Sequence, residues 1–286
     1  MNFELRIMKS NIQISLYFLL LVLGSFLTAC EVIPIGEQNK VIFTPVDSSA
    51  VKRTSLLIEY SGWRCVNCPT AAEKAHDLKE QYGENLVVVV MHPESNSNTH
   101  YSNNQAVNYT CPEADSIYIM MGGTKTTSFP TGNVNMTKND EEIYFTDDDE
   151  WGKYVSKAYA TPKSIFLSNE ASLIDTDVIF VAVDITNMDT KNLDATLQVW
   201  LTEDSVIGSQ KKPEGTDKNY AHNHLMRASI SPIWGDKLIL DAQATTQMTY
   251  EYPLPEKVKK ENCNIVSLIS VDGEVIQAYE SKITLE

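Results

Sequence analysis

Apolar and polar positions along this chain follow three successive regimes. Between Ile14 and Phe26 the residues are mostly apolar, with Arg6 and Lys9 ahead of the run and Leu27-Thr28-Ala29-Cys30 behind it. A bilayer span needs about 20 such residues, so the run is too short to cross comfortably. Its basic front and small-residue end mark a signal peptide over residues 1–29. The second regime mixes periods. Leu56-Leu57-Ile58-Glu59-Tyr60 is a strand-type run broken by Ser61-Gly62. Ala71, Ala72, Ala75 and Leu78 then keep a helical spacing from Pro69, which suits a first turn, to Gly83, which suits a C-cap. Leu86–Met91 is a continuous β-branched run of the kind buried on both faces of a central strand, so strand, helix and strand predict a βαβ unit. Asp147-Asp148-Asp149-Glu150 predict a last helix through Trp151, Tyr154, Val155 and Ala158, because acid groups favour a helix N-terminus.

After Thr161-Pro162-Lys163 the period becomes two. Leu193, Ala195, Leu197, Val199 and Leu201 share one face, while Asp194, Thr196 and Gln198 share the other, which predicts a half-buried strand. Similar runs occur near 174–185, 222–230, 245–252, 264–271 and 274–283, the last two joined by Asp272-Gly273, a tight-hairpin signal. About seven strands without helices predict an antiparallel β-sandwich. The expected organisation is a signal peptide (1–29), a tether (30–53) with Pro34, Gly36 and Pro45, an α/β domain (54–161) and an all-β sandwich domain (162–286).

Composition changes this picture mainly by exclusion. The chain has 286 residues, 43% apolar and 21% charged, ordinary globular values that rule out collagen-like and low-complexity classes. Its net charge of −15 disfavours nucleic acid and anionic lipid headgroups as partners, since both must be neutralised by Lys and Arg. Leu27-Thr28-Ala29-Cys30 resembles the lipobox of bacterial lipoproteins, which implies a diacylated Cys30 as the mature N-terminus. Two or three acyl chains anchor stably where one would not. Glu31, in place of the Asp that retains lipoproteins in an inner membrane, favours the outer membrane.

Four cysteines remain for a compartment in which disulfides persist. Cys111 and Cys263 are far apart in sequence, and a disulfide, two buried thiols or contact with the other pair all stay open. Cys65 and Cys68 have the spacing of a redox pair and fall at the start of the predicted helix. Unpaired N–H groups and the helix dipole there stabilise a thiolate, and Arg64 acts in the same sense. A zinc half-site would need a second CxxC, which the chain lacks. A structural disulfide without turnover is the competing reading.

These residues resemble the thioredoxin fold. That resemblance implies that Glu59, on the strand before Cys65, is a proton acceptor for Cys68, and that Phe129-Pro130-Thr131-Gly132 is a cis-proline loop presenting backbone to a substrate peptide. Cys65 would be the attacking thiolate and Cys68 the resolving thiol, acting on thiols or disulfides of exported proteins. The Ser/Asn-rich stretch from Pro93 to Thr110 is an insertion relative to that pattern. In the second half, His222 and His224 would share one face of a strand, but two imidazoles without a third ligand are too few for tight metal binding, so no metal and no cofactor is expected. Lipobox, Cys-Val-Asn-Cys-Pro, Val199-Trp200-Leu201-Thr202-Glu203-Asp204 and His222-Asn223-His224 together resemble the outer membrane protein 28 family of Gram-negative lipoproteins. The family implies location but no activity. A thiol-disulfide oxidoreductase and a non-catalytic binding or adhesive lipoprotein are the two functions that follow.

Overall fold

A computed structural model describes residues 53–100, 107–162, 164–174 and 177–285 in full, and 39–41 as backbone. The signal peptide, Cys30 and most of the expected tether lie outside the described residues. Within the tether, Asn39–Val41 is a strand, β1, so this part of it joins the fold by pairing with Thr245–Gln247.

The βαβ unit forms as its periods predict. β2 (Ser55–Tyr60) and β3 (Leu86–Met91) are parallel neighbours, paired from Ser55↔Leu86 to Tyr60↔Met91, and both are buried throughout. Between them α1 (Cys68–Tyr82) ends at Gly83, whose φ of 57° makes glycine the natural stop. After α2 (Pro112–Met120), β4 (Thr131–Val134) pairs antiparallel with the free side of β2, and α3 (Trp151–Tyr159) follows three acidic residues as expected. β4 stops at Val134 because Asn135 and Met136 turn to φ of 56° and 55°. The rest is strand: β5 (Ile165–Ile174), β6 (Val178–Asn187), β7 (Leu193–Glu203), β8 (Val206–Lys212), β9 (Gly215–His222), β10 (Leu225–Ser229), β11 (Asp236–Leu240), β12 (Thr245–Pro253), β13 (Cys263–Val271) and β14 (Glu274–Thr284). Asp272 and Gly273, at φ of 51° and 86°, make the predicted hairpin turn between β13 and β14.

The expected fold class, a thioredoxin-like α/β domain followed by an all-β antiparallel sandwich, is overturned. Twelve strands form one mixed sheet in the order β1-β12-β6-β5-β14-β13-β7-β10-β3-β2-β4, with β11 also paired to β7, and helices are a minor component. The junction is β10 against β3. Leu225 and Val90 are parallel partners there, and the Val90 N–H donates to the His224 carbonyl at 2.8 Å. A strand as apolar as β3 must be covered on both faces and paired on both edges. In a separate domain β3 would be an open edge, and β10 closes it.

Packing carries the same continuity. Along β7, Ala195, Leu197, Val199 and Leu201 face the core between the strand layers, as their alternation predicts. The opposite face, expected to meet solvent, is buried in its C-terminal part: Trp200, with Val266 and Leu268 of β13, packs in one cluster with Leu56, Ile58 and Tyr60 of β2 and with Ala114, Ile117 and Tyr118 of α2. A third cluster covers the other side of β2 and β3, where Leu57, Val88 and Val90 meet Ala71 and Ala75 of α1 and Trp151 and Val155 of α3.

Candidate functional site

The βαβ geometry explains where the cysteine pair falls. The chain leaves the C-terminal end of β2 through Ser61-Gly62, turns, and enters α1 at Cys68, so Cys65 precedes the first helical turn. Gly62 is required here, since a Cβ would stand 2.6 Å from the Asn98 carbonyl oxygen. Cys65 and Cys68 are joined in a disulfide with Cα atoms 5.5 Å apart. The Cys68 N–H, an unpaired donor of the helix start, donates to Cys65 Sγ at 3.1 Å. A backbone N–H so placed at a helix start is of the kind that favours a thiolate over a thiol. Both residues are nonetheless buried, at 5% and 2% exposure. Arg64 lies over the Trp63 ring, 4.8 Å from its centre, and the indole N–H donates to the His100 carbonyl at 3.3 Å.

Glu59 shares the β2 face with Leu57, which packs on α1. Because α1 runs back along the strands, the step from Leu57 to Glu59 goes toward the helix N-terminus and the cysteine pair. Burial raises the Glu59 carboxyl from its ordinary 4.5 to about 8, partly opposed by the Ser61 hydroxyl and reinforced by the charge of Asp148. Neither carboxyl oxygen has a hydrogen-bond partner of regular geometry. Pro130 follows a cis peptide bond from Phe129 and leads directly into β4, where Thr131 pairs with Tyr60 and Gly132 with Glu59. The structure thus places Glu59, Cys65, Cys68 and Pro130 around the C-terminal end of one strand.

No pattern in the sequence pointed to the cover over this region. β8 and β9 form a separate hairpin lying across the cysteine loop. The buried Gln210 amide nitrogen donates to the Cys65 carbonyl at 2.8 Å, with the Lys211 and Gly62 carbonyls at 3.2 and 3.3 Å, and the Lys211 N–H donates to the Trp63 carbonyl at 2.8 Å. On β9 the Tyr220 hydroxyl is pushed up to about 12, first by burial and then by the charges of Glu59 and Glu73, which puts it within electrostatic reach of the carboxyl below. Further along, the Tyr109 hydroxyl donates to the Ser209 carbonyl at 3.3 Å. His222 packs on Tyr109, His92 and Tyr220 with ring centres 4.4, 5.5 and 4.9 Å away. Burial lowers His222 to about 4 and His92 well below its usual value. The stretch from Pro93 is not a loose insertion at its start: Asn96 is buried and donates to the Tyr118 hydroxyl at 2.9 Å.

The shared face expected for His222 and His224 does not form. β9 ends at His222, and His224 turns to φ of 55°, with its ring beside Asp204 at 3.4 Å. Among the described residues no group of three or more His, Cys, Asp or Glu is placed to hold a metal. Cys111 and Cys263 are unbonded and buried in different clusters, both thiols pushed up to about 12 by burial. No helix among the described residues is long and apolar enough to cross a membrane.

A family model described as outer membrane protein Omp28 matches residues 122–285. No curated protein matches. Among solved structures, HBP35 of Porphyromonas gingivalis is similar at a TM-score of 0.64 and 16% identity, covering 82% of this chain and 76% of its own. A domain of the outer membrane lipoprotein Omp28 from Porphyromonas gingivalis gives 0.33 and 21% over 43% and 91%. Protein AGR_C_4864 from Agrobacterium tumefaciens gives 0.48 and 12% over 81% and 95%. Of these three, the HBP35 likeness alone supports a shared fold, and at that identity it speaks to fold only.

Proposed function

Since the chain belongs to the Omp28 family and is a lipid-anchored protein of the outer membrane, we propose that its Cys65–Cys68 pair exchanges disulfides with thiols of exported proteins, with Cys30 as the lipidated residue. The observation that carries this reading is the placement of the disulfide at the N-terminus of α1, with the buried Glu59 on the strand face beneath that end of the helix. In the oxidising direction a partner thiolate attacks Cys65 Sγ. The S–S bond breaks, a partner–Cys65 disulfide forms, and the electron pair leaves on Cys68. Glu59, with its pKa near 8, is largely protonated at neutral pH and supplies the proton. A second partner thiolate then attacks the partner's sulfur of this mixed disulfide, forming the partner's own S–S bond and releasing Cys65 as thiolate, held by the Cys68 N–H. The partner loses two electrons and the protein gains them. In reverse, Cys65 attacks, Cys68 resolves and Glu59 accepts the proton. Pro130, beside this end of β2, borders the partner's path.

Equilibration of the purified protein against glutathione buffers, with alkylation of free thiols as readout, tests this. A Cys65–Cys68 pair that titrates within the range of about −120 to −270 mV typical of exchange proteins supports it. A pair that stays oxidised until far below about −300 mV is a structural disulfide. The burial of both cysteines favours that second reading, a non-catalytic binding or adhesive lipoprotein, and the same titration decides between the two.

A further inference from the structure

We infer that Gln210 is a positioning residue that latches the β8–β9 hairpin over the cysteine loop, so that the hairpin must lift before a thiol reaches the disulfide. The inference rests on the exchange reading for its biological use, but the latch is a physical claim of its own.

The hairpin belongs to no other sheet, so its place is set by what it touches. It is fixed at two points. At one, Gln210, 2% exposed, directs its amide at the Cys65 and Gly62 carbonyls, while the Lys211 N–H binds the Trp63 carbonyl. The Gly62 carbonyl already accepts from the Cys65 N–H at 2.9 Å, but the Cys65 carbonyl belongs to an irregular loop with no strand to pair with, and a buried carbonyl left unpaired is costly. Gln210 therefore fixes the backbone of Cys65 itself. Two residues earlier on β8, Gly208 lies under Tyr109 so closely that a Cβ would come within 1.9 Å of the phenol oxygen. At its base the hairpin also packs His222 on Tyr109 and His92 and contributes Val206 to the apolar cluster. A unit held by hydrogen bonds to one loop and by this small cluster, and sharing no ladder with the main sheet, can open locally without unfolding that sheet.

The test is the rate at which dithiothreitol reduces Cys65–Cys68 in the full mature lipoprotein in detergent, followed by alkylation, with circular dichroism as a check on the fold. Gln210→Leu removes the donors and should speed reduction roughly tenfold, the change expected when one buried hydrogen bond no longer holds the closed form, while the thermal midpoint stays near wild type. Gly208→Ala should do the same through its clash with Tyr109. If Gln210→Leu does not fold, Gly208→Ala decides alone. Wild-type rates in the folded variants overturn the latch. This outcome is distinct from failure of the exchange reading, which shows in the equilibrium titration and leaves the rate ratios untouched.

Discussion

The βαβ segment and the β8–β9 hairpin meet at the same disulfide, yet different forces hold them. β2 and β3 are buried on every residue, and their side chains fill two clusters. At about 1.5–3 kcal/mol for each large apolar side chain, that segment cannot move without unfolding the molecule. The hairpin is mostly exposed and polar, fixed through Gln210, Lys211 and an aromatic-imidazole cluster. A rigid base and a separable cover are what a shielded exchange site needs. A purely structural disulfide would need only the base.

The largest effect should come from breaking the base where both halves share it. Trp200 is fully buried between β7, β2 and α2. Trp200→Ala should cost about 3–5 kcal/mol, as large aromatic truncations in cores do. The helical signal of α1 to α3 and the strand signal should then shift to the same lower denaturant midpoint. Helical signal that survives loss of the strand signal would show two independent units.

Next in size is the carboxyl under the disulfide. Glu59 is raised from 4.5 to about 8, so between those values the folded protein holds a proton that the unfolded chain has released. Stability from this group is therefore present below about pH 4.5 and falls as pH rises toward 8, by up to about 5 kcal/mol for a fully buried acid. Glu59→Gln should abolish that slope. Parallel pH–stability curves for wild type and variant would place Glu59 in contact with water.

The cover should fail in the opposite direction. His222 is lowered from 6.5 to about 4, so the unfolded chain takes up a proton first, and stability is lost as pH falls through this window, by about 2–3 kcal/mol for a largely buried imidazole. His92 acts in the same sense. His222→Gln should flatten the acid limb of the curve while leaving the limb above pH 7 unchanged. An unchanged acid limb would mean that the ring is already hydrated.

The contrast also explains what could be read from the amino acids. Local patterns located these elements: helical spacing for α1, alternation for β7, unbroken apolar runs for β2 and β3, and the dipeptide for the Asp272-Gly273 turn. The cysteine pair, Glu59 and Pro130 were legible as a spacing and a resemblance. The joining of the two halves was not: the β10–β3 pairing is made by backbone groups whose only local trace is a β-branched run, and it turned an expected domain boundary into a continuous sheet. Gln210 was invisible for a related reason. In Val-Ile-Gly-Ser-Gln-Lys-Lys nothing alternates strongly, and a buried Gln has meaning only through the carbonyls it meets. His222 and His224 misled because a strand was extended through Asn223, where the chain turns.

The smallest effect compares two hairpin turns. Gly273, between β13 and β14, has φ of 86°, and Gly215, between β8 and β9, has φ of 144°; neither has an atom within 4 Å of an added Cβ, so alanine at either position costs backbone strain alone. That strain is on the order of 1 kcal/mol. β13 is buried through most of its length, so Gly273→Ala should lower global stability by that amount. Strain at Gly215 should instead be released by opening the hairpin. Gly215→Ala should leave the denaturant midpoint unchanged while raising the rate of trypsin cleavage at the exposed Lys218 several-fold, the mark of a local opening. A lowered global midpoint without faster cleavage would show instead that β8–β9 unfolds only with the rest of the sheet, and the cover would then be as rigid as its base.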